Sequence, residues 1–444
     1  MYPTANRAYV RVWAIGVGLI VLLNLLGVAR WHIDDGLRDS FENLDTRVIL
    51  QRLQQPHSVG EWFVGDWVLG NGFYRPLPSV LYQLDYCLWG EDLLRWKWTN
   101  GLLATACALA LVGFLTTLTG QRRLALAGGL AFTLWQTGFA PPIPLWVGAF
   151  ALAAGMAWGY GQGDWRRGAV WGCLAFALVV EWGFVADLPD IHMQSFAYRA
   201  MGWIPGRTAT LMALFALLAL WGAAGYARSG RVGWAALAVG GFVGAMLSYE
   251  QFVALPVLMA LAVWAVGAPR PRMVRAWGVC LACLLLLAPY AVFYRERIPT
   301  QTQYHQQRVK RSKTLPMTAA NWLAPPASEA WMQVDLTLTA PLNFAFPRFW
   351  LAQVGLVAYL IALRQVLRTR YGWLGWLGSL LAYAPTAPLL PLMHYYYLPV
   401  ALRALWWGVL LLCLLESRPA RGGVALAAVD ESPATPAAPS GSGR

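Results

Sequence analysis

The chain has 444 residues, of which 58% are hydrophobic and 12% charged, with a formal net charge of +13. A soluble domain carries roughly 25% charged residues, and apolar runs of about 17 to 25 residues that recur along a whole chain have no place in a soluble core. The composition therefore excludes a soluble globular protein and gives an all-α fold class, a polytopic transmembrane helix bundle.

The predicted spans are, in chain order, 12–29, 100–118, 124–140, 144–160, 169–186, 208–225, 232–248, 252–267, 276–293, 349–363, 372–391 and 397–415. That makes about 12 crossings, and most of these runs are clean of charge. The first span follows Arg7 and Arg11 and reads as a retained anchor, because its apolar stretch outruns a signal core. With the N-terminus in the cytoplasm, the turns that fall on the cytoplasmic side hold Arg122 and Arg123, Arg166 and Arg167, Arg228 and Arg231, Arg270, Arg272 and Arg275, Arg364, Arg368 and Arg370, then Arg418 and Arg421. The short opposite turns near Pro141 and Ser248 lack Lys and Arg, and this alternation sets the orientation, with both termini cytoplasmic. The positive charge is thus topological, and no nucleic-acid partner is expected. Many of the 25 Trp residues flank spans, where an indole ring prefers the headgroup level.

Two segments on the outer side are long, about 30–99 and 294–348, and long loops on a membrane bundle tend to carry function. Residues 1–416 form one transmembrane domain, and the Ala-, Pro-, Gly- and Ser-rich stretch 417–444 reads as a disordered tail. Cys280 and Cys283 have redox or zinc spacing but lie in mid-span with no second pair, so they read as small apolar side chains.

The first span ends in Trp31-His32-Ile33-Asp34-Asp35. Paired carboxylates there are either a solvated helix end or a base and acceptor-orienting group beside a low-dielectric wall. Next comes Tyr74-Arg75-Pro76-Leu77, followed by Leu81 and Leu84 at helical spacing and by Asp85-Tyr86-Cys87-Leu88-Trp89-Gly90. Pro76 suits a first turn, so a helix lying in the membrane interface is predicted here. Asn100 then opens the second span. Further blocks are Trp203-Ile204-Pro205-Gly206-Arg207, Leu247-Ser248-Tyr249-Glu250 with Leu255-Pro256, and His394-Tyr395-Tyr396-Tyr397-Leu398-Pro399.

The order and spacing of these blocks resemble the GT-C superfamily of polytopic glycosyltransferases, closest to its protein O-mannosyltransferase-like branch. The resemblance is scattered over residues 12 to 415 and has departures. Tyr249 stands where the branch usually has Lys, His394 near an Arg position, and Arg199 where a Glu often stands. The spans between 144 and 186 look like an insertion.

The resemblance implies transfer of a hexose or pentose from a polyprenyl-phosphate donor to an acceptor outside the membrane, with inversion at the anomeric carbon. Asp34 and Asp35 would be the catalytic pair. Arg75, Arg207, Lys310 and Arg311 would hold the donor phosphate, for which a guanidinium fork is well suited. Glu250, His192, Arg199, His394 and Tyr397 are accessory candidates. A divalent metal, Mg or Mn, is left open by a single Asp pair. The partners implied are membrane lipid, the polyprenyl-phosphate sugar and a protein, lipid or glycan acceptor. The place implied is a bacterial inner membrane. Two rival expectations stand beside this one: a non-catalytic scaffold of the same fold, favoured by Arg199, and a transporter or flippase of a lipid-linked substrate, which would call for internal repeats.

Overall fold

A computed structural model describes residues 4–35, 44–188, 195–297, 322–327, 330, 332–333, 335, 347–387 and 393–417, with backbone alone for 4–9, 32–35, 44, 347 and 393. Lys310, Arg311, His192 and the tail beyond 417 lie outside the described residues, as do the side chains of Asp34 and Asp35.

All described elements are helical. They run α1 (Thr4–Asp35), α2 (Leu44–Leu53), α3 (Pro76–Trp89), α4 (Leu93–Thr119), α5 (Arg122–Thr137), α6 (Leu145–Gly161), α7 (Trp165–Ala186), α8 (Arg207–Ser229), α9 (Val232–Met246), α10 (Leu255–Val266), α11 (Arg270–Leu285), α12 (Leu287–Arg297), α13 (Pro347–Val366), α14 (Arg370–Tyr383) and α15 (Tyr397–Glu416). Helix ends follow local chemistry. Asp92 and Asp164 accept from the backbone N–H of Arg95 and Arg167 at the starts of α4 and α7, and Thr369 caps α14 by accepting from Gly372. Gly120, Gly138, Gly230 and Gly267 close α4, α5, α8 and α10 in the left-handed conformation.

Among the described residues 7 helices are long and apolar enough to cross a membrane, and three shorter apolar ones accompany them. The expected count of about 12 is larger, and several of the expected apolar runs are α-helical over only part of their length. At the end of the bundle opposite the basic turns, several predicted spans leave α geometry early. Glu250–Ala254 is a 3-10 turn ahead of α10, Ala384–Thr386 follows α14 as another, and Met393–Tyr396 precedes α15. Tyr198–Gly202 forms a π turn and Ile204–Gly206 a 3-10 turn ahead of α8. The span expected over 276–293 falls inside the crossing-length stretch Arg270–Arg297, which is interrupted at Leu286, next to Pro289, which has no N–H to continue the ladder.

The core is built by α4, α8 and α15. In the Ile204–Ser229 span 78% of the most apolar stretch is buried, against 17% for Arg270–Arg297, so α8 is central and α11–α12 peripheral. The α6–α7 pair approaches through Gly155, Gly159, Gly168 and Gly172. A Cβ on Gly168 would stand 2.3 Å from the Cα of Gly159, a separation no side chain tolerates. Four of the basic turns share one end. Arg228 donates to the Leu118 carbonyl at 3.3 Å, Arg272 donates to the Arg228 carbonyl at 2.9 Å, and Arg370 lies over Trp264. Arg122 covers Trp13 near the start of α1, which puts that start at the same end.

At the opposite end residues 44–92 form a cap whose small core holds Ile49, Trp62, Val68 and Tyr82 and is completed by Trp96 of α4. Within it α3 occupies the stretch where the leucine spacing predicts a helix.

Candidate functional site

The cap presents Arg75 to the bundle. Asp66 builds the presenting loop, because its carboxylate accepts from the backbone N–H groups of Trp67, Gly72 and Phe73 at 2.7 to 3.0 Å. Trp67 closes the loop by donating its own N–H to the Phe73 carbonyl at 3.0 Å. Arg75 follows directly, with Pro76 and Leu77 starting α3, and the Leu77 N–H donates to the Leu247 carbonyl at 3.1 Å. That bond ties the cap to the turn between α9 and α10.

Across that junction Arg75 meets Glu250. Its Nη2 stands 2.7 Å from one carboxylate oxygen, and its Nε donates to both at 3.0 and 3.1 Å. The guanidinium carbon also lies 4.2 to 4.5 Å from the ring centroids of Phe73, Tyr249 and Trp67. Burial works against the charged form of Arg75, and the Glu250 carboxylate more than offsets it, so the guanidinium is held above its ordinary range. Arg75 is therefore a caged, permanently charged group.

Beside this pair is a cavity of about 540 Å³, lined by Arg75, Tyr249, Glu250, Phe252, Tyr290, Tyr294, Arg295, Thr386, Tyr395 and others. Two sides of it are fastened by Gln251, whose amide donates to the carbonyls of Ala382 and Tyr395 at 2.6 and 2.9 Å. The α12 side is fastened by Tyr294, which donates to the Gly72 carbonyl at 2.9 Å. Arg295 is exposed at the rim.

The other sequence blocks gather on the same place. His394 is buried and stacks edge to face on Tyr395, with its centroid also 5.2 Å from Trp203 and 6.2 Å from Tyr249. The Arg199 guanidinium lies 4.3 Å over Trp203. Gly206 is required by this packing, since a Cβ there would meet the Arg199 carbonyl oxygen at 2.1 Å. So Arg75, Tyr249, Glu250, Arg199, Trp203, His394 and Tyr395 form one continuous cluster. The end of α1 reaches it as well: Trp31 meets Tyr198 edge to face at 5.6 Å, and buried Lys97 donates to the Trp31 carbonyl at 3.4 Å. The backbone of Asp34 and Asp35 completes that helix one turn further on.

Two candidates sit elsewhere. Arg207 is fully buried beneath the cap, paired with Asp85 at 2.6 Å, and donates to the Asn100 side chain and the Trp96 carbonyl. Burial pushes the Asp85 carboxyl up, while Arg207 and the donating Thr99 hydroxyl pull against that. Arg207 thus joins α3, α4 and α8 and does not line the cavity. Tyr397 is inside the bundle, donating to Gln136 at 2.5 Å, and Gln136 in turn donates to Asn24 at 2.6 Å.

Sequence reasoning gave no role to Asp66 or Asp85 and overlooked an ion pair between Glu181 of α7 and Arg403 of α15, 2.7 Å apart and buried. The signal was available: a charge inside an apolar span calls for a partner in another span. Among the described residues no group of three or more His, Cys, Asp or Glu side chains is arranged to hold a metal ion.

Chemically, the cluster offers an aromatic wall suited to apolar chains or to sugar C–H faces, a fixed carboxylate–guanidinium pair, and one exposed guanidinium at the rim. Comparison of the chain with family models, curated proteins and solved structures finds no match.

Proposed function

We propose that the chain is a GT-C-like membrane glycosyltransferase of about 12 crossings, with cytoplasmic termini, seated in a bacterial inner membrane. It moves a sugar from a polyprenyl-phosphate to an acceptor hydroxyl on the outer face. The observation that carries this reading is the convergence of four separated sequence blocks, at Arg75, Trp203, Glu250 and Tyr395, in one cluster beside an aromatic-walled cavity lined by three of them.

In the proposed reaction the acceptor oxygen attacks the anomeric carbon while the bond from that carbon to the donor phosphate oxygen breaks. Asp34 or Asp35 takes the acceptor proton. The phosphate leaves as an anion, so no strong general acid is needed. Arg75 and Arg207, given to the phosphate by the resemblance, are already matched to carboxylates. Exposed Arg295 at the cavity rim is the better placed cation.

Those two matched arginines, together with Arg199, favour a second reading as a non-catalytic scaffold of the same architecture. One experiment separates the two. Membranes bearing the chain, or its Asp34→Asn and Asp35→Asn variants, receive a polyprenyl-phosphate sugar, and acceptor glycosylation is followed. Transfer that drops at least 100-fold in a variant expressed at normal level supports the enzyme. Absence of transfer by the parent with every donor tried supports the scaffold.

A further inference from the structure

Glu181 and Arg403 lie inside helices long and apolar enough to cross a membrane, and both side chains are at most 1% exposed. Tyr359 of α13 donates to the same Glu181 oxygen that accepts from Arg403. Two charges in such a setting are expensive, and well-packed apolar residues would serve packing as well or better. The pair therefore calls for a role beyond holding three helices together.

Its surroundings give that role. Trp322, from the long segment between α12 and α13, is buried with its ring 4.9 Å from the Arg403 guanidinium carbon. The same indole is near-parallel to the rings of Tyr383 and Tyr396, at 5.6 and 5.5 Å, and those two stack on each other at 5.2 Å. Tyr383 immediately precedes the turn holding Pro385 and Thr386, and Tyr396 follows Tyr395. All three of those neighbours line the Arg75–Glu250 cavity. Gln251 bonds the carbonyls of Ala382 and Tyr395, the residues just before the two stacked tyrosines. One unbroken path of contacts thus runs from a charge pair in the bundle to a cavity wall.

We infer that Glu181 and Arg403 are positioning residues for that cavity: the pair fixes the guanidinium, the guanidinium seats Trp322, and Trp322 holds the tyrosines that set the wall. The inference rests on the cavity being the functional site, as proposed above. Its test reads the wall itself and needs no substrate.

Thr386→Cys is introduced with Cys87→Ser, since Cys87 is exposed, and maleimide labelling of the purified protein is timed against the same protein without the new cysteine. Thr386 is buried, so labelling is slow until the wall loosens. Arg403→Met and Trp322→Leu are each expected to speed labelling about tenfold, and the double variant no more than the faster single one, because both act on one path. Trp322→Leu leaves the ion pair intact and carries the test should Arg403→Met fail to fold. Leu118→Ala, in the core by the basic turns, is the control for general loosening and is expected to leave the rate unchanged. The inference is overturned if Trp322→Leu labels at the parent rate, if the singles multiply in the double variant, or if Leu118→Ala speeds labelling equally. Sugar transfer by the same variants is measured separately. Its absence in the parent counts against the proposed function and leaves the labelling result standing.

Discussion

Replacing Glu250 by Gln removes the carboxylate facing Arg75 while keeping a hydrogen-bond acceptor of the same size, so it isolates the charge. The Arg75 side chain is 8% exposed and that of Glu250 30%. Breaking a fully buried pair costs about 3–5 kcal/mol. Here water reaches Glu250, and three rings continue to face the cation at about 0.5–1 kcal/mol each. The expected loss is therefore about 2 kcal/mol. Arg75→Met keeps much of the stem volume and strands a carboxylate that water can reach, for about 1–2 kcal/mol. The double variant strands nothing, so it should lose less than the sum of the singles by about 1–2 kcal/mol. Reversible unfolding in mixed micelles, followed by circular dichroism, measures all four proteins. Strict additivity would refute the claim that this pair locks the cap onto the turn between α9 and α10. The exposed rim cation gives a contrast, since Arg295→Gln should leave stability within about 0.5 kcal/mol of the parent.

Asp85→Asn should be harsher than Glu250→Gln, at about 3–5 kcal/mol, because it leaves the wholly buried Arg207 unmatched; yield and unfolding of the purified variant check this. Gly168→Leu should part α6 from α7 and abolish the folded state, whereas Gly233→Leu, with open space around its Cβ position, should be recovered at the parent yield. Burial holds the Tyr74 and Tyr82 phenols above their ordinary 10.0, so the unfolded chain ionises them first. The contribution of these two phenols to stability should be level below pH 10.0 and fall above it, and Tyr82→Phe should make that fall shallower at the expense of a hydrogen bond to the Ile204 carbonyl.

Helix positions were legible because apolar runs and basic turns are local signals. The expected 208–225 and 397–415 fall inside α8 and α15, and four of the arginines used to orient the chain, Arg122, Arg228, Arg272 and Arg370, lie at one end. The stretch after Arg75 was legible from Pro76 and the leucine spacing. Helix lengths were not, because hydropathy continues through Glu250–Ala254 and Ala384–Thr386 while the backbone tightens to 3-10. Side-chain partners were the least legible part. Arg75 and Arg207 look alike as isolated cations, and only tertiary packing assigns one to Glu250 at the cavity and the other to Asp85 below the cap. Asp66 was invisible for the same reason, since its work is to collect three backbone N–H groups within its own loop.

The α6–α7 hairpin has one more implication. It supplies Glu181, the counter-charge of Arg403 on α15. A version of this protein without the hairpin would leave that cation unmatched among apolar helices unless an uncharged residue replaced Arg403, so the two features are physically coupled.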